Sequence, residues 1–311
     1  MTPGADVTAA PRALRYGLVT SALVLIVCAV LAVVAGTAFA SATTVLGAAT
    51  QRTFGTVTAV DGDAVTLTWA PAGGPSRNDS VELAGPPPPV GTRTEVAYSA
   101  AGAPLIPGAA VLADADRALS TLVLAGVVAV LVGAVGAWQV VSRRRALRQP
   151  PRTLDVGRVR IRSGLTGRSW LETATVPPRW VPLHFDPALP ALPSPASVRL
   201  RGDPLRHRYV AAEIDGRPVP PSGPVRTAEP RGHRTDNPAR PDASAAERAA
   251  AYAPLRRQLL ADLPLTVPAP LVAALWTVVD GGGFGTWLAT TALLAALALF
   301  TAAVRGTDPT T

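Results

Sequence analysis

Lysine is absent from this chain: all 29 basic residues are Arg. Without it, no P-loop lysine can reach a phosphate and no Schiff base can form. A Ser-Lys dyad and a lysine-dependent kinase site are excluded as well. Cysteine is almost as scarce. Cys28 stands alone inside an apolar run, so there is neither an intrachain disulfide nor a thiolate zinc site, and it reads as a small apolar helix residue. The preceding Leu25, Ile26 and Val27 lack the small residue that a lipidated cysteine needs. Charge is sparse too, at 16% of 311 residues, while 48% are hydrophobic, a balance unusual for a soluble protein of this length.

What the chain has instead is long uncharged stretches. Residues 17–40 carry no charge and as a helix would rise roughly 36 Å, more than the ~30 Å of a bilayer's hydrocarbon. Arg12 and Arg15 before this run and Ala38-Phe39-Ala40 at its end resemble a signal peptide, but the run exceeds an ordinary h-region of about 7–15 residues, which favours an uncleaved anchor. Residues 119–141 form a second span, ending in Trp138 and the basic cluster Arg143, Arg144, Arg145 and Arg148. An interfacial Trp and basic stop of this kind face anionic headgroups on the cytoplasmic side. A third apolar region is divided by Asp280, Gly281, Gly282 and Gly283 into a proline-led limb, 264–280, and a span, 285–304. The first limb is short and either crosses or re-enters.

Loop charges set the expected orientation. Residues 41–118 hold four Arg against seven acidic residues, whereas 142–263 hold twenty-two Arg against eleven. The second loop is therefore expected inside, with the N-terminal segment 1–16 and, from Arg305, the C-terminal tail 305–311. The expectation is a multi-pass cell-membrane protein of α+β class, with three to four transmembrane helices.

The outer loop, 41–118, reads as a small barrel-like β domain. Gly55 to Trp69 alternates around an Asp61-Gly62 turn, placing Val65, Leu67 and Trp69 on one face with Val57 and Ala59 opposite. Ser80 to Leu83 and Thr94 to Tyr98 add strands beyond the stiff Pro86 to Pro89 stretch. On this hairpin, the Val90-Gly91 turn, the strand Thr94 to Ser99 and the flanking helices, residues 15–145 resemble a family of actinobacterial-type membrane proteins grouped under a domain of unknown function. The resemblance implies membrane location and a β-rich outer module, and supplies no catalytic residues.

The inner loop, 142–224, repeats strand-like pieces and carries a hairpin signal at Asp215-Gly216, so a β-rich cytoplasmic domain is expected. Residues 225–243 are too polar to order themselves and read as a disordered linker. Ser244 and Glu247 match a capping box that opens an interfacial helix over 244–263, with Leu255, Leu259 and Leu263 on its apolar side.

Chemistry has few candidates. His184 and Asp186, two apart, could share a strand face as the start of a metal or acid/base site, but no third ligand is visible. The inner arginines are interspersed with acids and follow the positive-inside pattern, which argues against nucleic acid. No catalytic set, cofactor or metal is expected. The leading expectation is a non-enzymatic envelope scaffold or signal relay that binds unidentified protein partners through β modules on both sides of the bilayer. The alternative is a transporter accessory subunit or small transport protein using the Asp280 to Gly283 hairpin.

Overall fold

The computed structural model describes residues 12–99, 103–240 and 244–310. The chain divides into two compact units, one from Cys28 to Val128 and one formed by the residues on either side of that stretch. Two long helices run through both, α1 (Arg12–Ala48) and α2 (Ala110–Leu147), each longer than its uncharged core.

Within residues 28–128 four antiparallel strands, β1 (Gln51–Asp61), β2 (Ala64–Trp69), β3 (Arg77–Glu82) and β4 (Arg93–Tyr98), lie in the order β3-β2-β1-β4. The hairpin forms where expected, with Gly62 at φ 59° in its turn. A register shift between Val57 and Ala59 corrects the expected pairing: Val57 faces Leu67 and is buried, whereas Ala59 is displaced to Thr66 and exposed. The sheet ends at β3 and β4 and does not close, so the barrel-like domain expected here takes the form of a curled half-barrel. Its core gathers Val57, Val65, Leu67, Val81 and Val96 around a Trp69–Tyr98 ring pair 4.9 Å apart. Gly55 is required here, because a Cβ would sit 2.9 Å from Val96 Cγ2.

In the other unit, seven strands build a second sheet: β5 (Pro151–Ser163), β6 (Thr166–Thr173), β7 (Trp180–Leu183), β8 (Ala196–Arg201), β9 (Ala211–Ile214), β10 (Arg217–Val219) and β11 (His233–Asp236). The path is β10-β9-β8-β5-β6-β7. Asp215 and Gly216 both take positive φ, as a tight hairpin turn requires. Long β5 serves two partners along one edge, β8 over Pro151 to Val156 and β11 over Val159 to Arg162. A four-residue helix, α3 (Ala188–Ala191), covers the core of Leu171, Leu183, Leu189 and Leu200.

Strand β11 overturns the expectation of a disordered linker over 225–243, although residues 241–243 lie outside the described residues. The segment has little apolar surface of its own beyond Val225, but it borrows the open edge of β5. Arg234 locks it there with ion pairs to Glu172 (2.6 Å), Asp236 (2.8 Å) and Glu229 (2.9 Å). Composition judges whether a segment can build its own core, not whether a neighbouring sheet offers it an edge.

The C-terminal helices also differ from expectation. The stretch 244–263 is two helices, α4 (Ala245–Ala250) and α5 (Leu255–Asp262), with Pro254 immediately before α5. Ser244 already has helical φ and ψ, so it makes no capping bond to the backbone, and its hydroxyl instead accepts from Arg248. A 3-10 turn (Leu263–Thr266) then carries α5 into α6 (Pro268–Asp280), its prolines falling in first turns where no amide partner is lost. The limb expected to be marginal thus becomes a 26-residue helical run, Leu255 to Asp280. With α1, α2 and α7 (Phe284–Arg305), four helical segments are long and apolar enough to span a membrane. Many of their large side chains are turned outward, with Val130 71%, Leu271 72% and Val278 80% exposed. Trp287 Nε1 donates to Pro270 O (3.0 Å), tying α6 to α7.

At the junction with β11, Gly232 has φ 146° and a Cβ there would lie 2.5 Å from Arg162 O. Gly232→Ala is expected to cost on the order of 2–3 kcal/mol and to lift β11 from β5, so that trypsin cuts at Arg234 well before the fold is lost. An unchanged digestion pattern would refute the edge pairing.

Candidate functional site

The C-terminal tail, expected to lie on the cytoplasmic side, is bonded into the second β module of its unit. Helix α7 ends at Gly306, whose left-handed φ of 67° caps it and whose missing side chain is also required by packing. A Cβ there would stand 2.6 Å from Ser222 Cβ and 2.8 Å from His184 Nδ1. The chain then turns into the second β module, where Thr307 bridges to Arg168 and the Asp308 amide donates to Gly167 O (2.8 Å).

Asp308 completes a buried charge pair. Arg158, on β5, is 6% exposed at its side chain and Asp308 0%, and Nη2 meets Oδ2 at 2.6 Å. Ser169 Oγ donates to the same oxygen (2.5 Å), while Thr310 supplies its amide and hydroxyl to Oδ1 at 3.0 and 2.5 Å. Arg158 Nη1 donates to Asn237 Oδ1 (2.8 Å), and Asn237 in turn caps the carbonyls of Leu189 (2.9 Å) and Leu192 (2.7 Å) around α3. Burial lowers the Arg158 pKa, and Asp308 pulls it back up. Charges this deep persist when paired and hydrogen-bonded, and here only Arg158 Nε is left without a partner among the described residues.

A second polar link joins the helices. Tyr16 Oη on α1 donates to Asp262 Oδ2 on α5 (2.5 Å), which also accepts from Thr307 Oγ1 (2.8 Å). Gln258 Nε2 donates to Thr307 O (2.8 Å) and Oγ1 (2.9 Å). The buried residues of α5 are thus Gln258 and Asp262, whereas Leu260 and Leu263 are each 52% exposed. Leu255 and Leu259 are half-buried, so the expected apolar side is not the face turned into the protein.

The third link corrects the reading of Arg143 as part of a lipid-facing cluster. Arg144, Arg145 and Arg148 are exposed, but Arg143 is buried, donating to Gln139 Oε1 (2.5 Å) and to His184 Nε2 (2.7 Å). Gln139 Nε2 reaches Val304 O on α7 (3.1 Å). A guanidinium only donates, so His184 Nε2 must accept, which assigns the neutral tautomer protonated at Nδ1. Burial, reinforced by Arg143 and Arg168, holds the His184 pKa well below the ordinary imidazole range.

His184 and Asp186 are therefore not brought together. Asp186 Oδ1 accepts from the Ala188 amide (2.9 Å) at the start of α3, because β7 ends at Leu183 and its alternation with it. Among the described residues no group of three His, Cys, Asp or Glu side chains could hold a metal ion. Two of the glycines at 281–283 are accounted for by the turn itself: Gly281 is left-handed, and a Cβ on Gly282 would lie 2.6 Å from Thr286 Oγ1, whereas one on Gly283 would meet nothing. Asp280, the last residue of α6, is half-buried.

Comparison with protein-family models, curated proteins and solved structures gives no match. The seam of Tyr16, Gln139, Arg143, Arg158, His184, Asp262 and Asp308 thus stands on geometry alone. Its chemistry is that of a fastener: every carboxylate and imidazole in it is engaged by a neighbour.

Two measurements follow. Asp308→Ala strands the Arg158 charge and is expected to cost about 3–5 kcal/mol, whereas Asp186→Ala, which removes one helix-end bond, costs about 0.5–2; equal melting temperatures for the two variants would contradict this ranking. His184 is neutral when folded and takes up a proton near pH 6.5 when unfolded. The unfolded state therefore binds more protons in that range, and the contribution of His184 to stability is complete above about pH 6.5 and falls as pH drops through it, by at most ~1.4 kcal/mol per unit. His184→Gln should flatten that acid slope, and an identical slope would exclude the assignment.

Proposed function

We propose that this chain is a non-enzymatic integral membrane protein of the cell membrane, a scaffold or signal relay that engages protein partners through its two β modules. In this reading the second β module and both termini are cytoplasmic and the first β module, inserted between α1 and α2, is extracytoplasmic. Placing a β module between two apolar helices is also what the resembled domain-of-unknown-function family would lead one to expect, and membership of that family belongs to the same proposal.

One observation carries it: the buried seam fastens parts of all four apolar segments to each other or to the second module. Tyr16 of α1, Gln139 and Arg143 of α2, Asp262 of α5 and the Thr307-Asp308 continuation of α7 are all committed. A β module held this way moves with the helix ends that carry it, which suits transmission or anchoring. The exposed arginines at 144, 145 and 148 suit an anionic leaflet surface. Gly281 and Gly282 are explained by backbone geometry and give the transport alternative no separate support.

Single cysteines test the arrangement, since only Cys28 must first be replaced by Ala. Ser76→Cys, in the exposed β2–β3 loop, should react with a membrane-impermeant maleimide in intact cells, and Ser197→Cys, exposed on β8, only after permeabilisation. Reversed labelling would overturn the orientation, and a chain recovered in the soluble fraction would overturn the membrane assignment.

A further inference from the structure

The last three turns of α2 present two different faces. Arg143 points inward to His184, while Trp138, Val141 and Arg145 follow at helical spacing along the wall of a groove of about 180 Å³. The opposite wall is the β8–β9 loop, with His207, Arg208 and Tyr209. Trp138 is 56% exposed and lies seven residues, roughly 10 Å of helix, from Arg145. The groove is therefore lined along α2 by a run from aromatic and apolar to cationic, and Arg208 adds a second guanidinium from the facing loop.

The arginines of the β module nearest the groove are already paired. Arg152 and Arg206 share Asp203, and Arg199 and Arg201 share Glu213. Among the described residues neither Arg145 nor Arg208 has a carboxylate within ion-pair distance, and Arg208 lies over the Tyr209 ring at 5.7 Å. His207 is oriented as a donor. Its Nδ1 accepts the Asp203 amide (2.8 Å), which leaves the proton of the neutral ring on Nε2.

The geometry points to a binding site for one anionic phospholipid, its phosphate between Arg145 and Arg208 and its upper acyl chain along Val141 and Trp138. Charge complementarity and the apolar-to-cationic gradient along α2 select a lipid over a soluble anion, which would gain nothing from the Trp138 end. The inference rests on the membrane reading above and narrows it from a diffuse basic surface to one groove.

The test uses the full chain in nanodiscs containing phosphatidylglycerol diluted in phosphatidylcholine, with retained lipid counted by native mass spectrometry after transfer to detergent. The Arg145→Gln/Arg208→Gln pair should lower phosphatidylglycerol retention about tenfold or more, and Trp138→Ala should lower it as well. The Arg144→Gln/Arg148→Gln pair removes the same charge outside the groove and should leave retention unchanged. Millimolar inorganic phosphate should not displace the lipid. Equal losses from the two Arg pairs would show diffuse attraction and overturn the site, as would displacement by phosphate or an unaffected Arg145/Arg208 variant. These outcomes concern a protein that incorporates into nanodiscs; failure to incorporate at all would instead overturn the membrane reading beneath it.

Discussion

A guanidinium buried inside a β sheet must be given a counter-charge, and here the counter-charge comes from the far end of the chain. Arg158 sits on β5, where both faces are covered, and the carboxylate that answers it is Asp308, 150 residues later. Leaving either alone would place an unpaired charge in a low-dielectric interior, a cost of several kcal/mol. Holding the pair requires α7 to end where it does and Gly306 to turn the chain, and Ser169, Asn237 and Thr310 add hydrogen bonds to it, Arg158 Nε alone of its guanidinium nitrogens having no partner among the described residues. The fold of the second module and the placement of the last helix are therefore one problem with one solution.

The helices follow a complementary rule. Their buried contacts include polar groups, such as Tyr16 with Asp262, Gln258 with Thr307 and Gln139 with Val304, while many of their valines and leucines are turned outward. In water such outward apolar surface would be a liability. Against hydrocarbon it is the ordinary arrangement, and polar side chains on facing helices then act as the specific glue.

Much of this was legible from local signals. The Asp61-Gly62 and Asp215-Gly216 turns each named a hairpin because two-residue turns need positive φ, and the uncharged runs named the long helices. What escaped were pairings between residues distant in sequence. Nothing near Arg158 indicates Asp308, and nothing near His233 indicates that β5 has room for another strand once β8 has ended. Arg143 looked like its three neighbours because a basic cluster does not reveal which member faces inward. His184 and Asp186 looked paired because alternation was extended past Leu183, where the strand stops. Gly306-Thr-Asp-Pro-Thr310, by contrast, carries a local signal: a C-cap glycine and an aspartate two residues before a threonine form a turn sequence.

The central claim is that the segment after α7 is a structural member of the second β module. Native-state hydrogen exchange at the Asp308 amide, bonded to Gly167 O, addresses it most directly. The account predicts that Asp308 exchanges as slowly as the Leu171 amide in the core of β6, both requiring the module to open. Exchange at the rate of a frayed chain end, with β6 still protected, would contradict it.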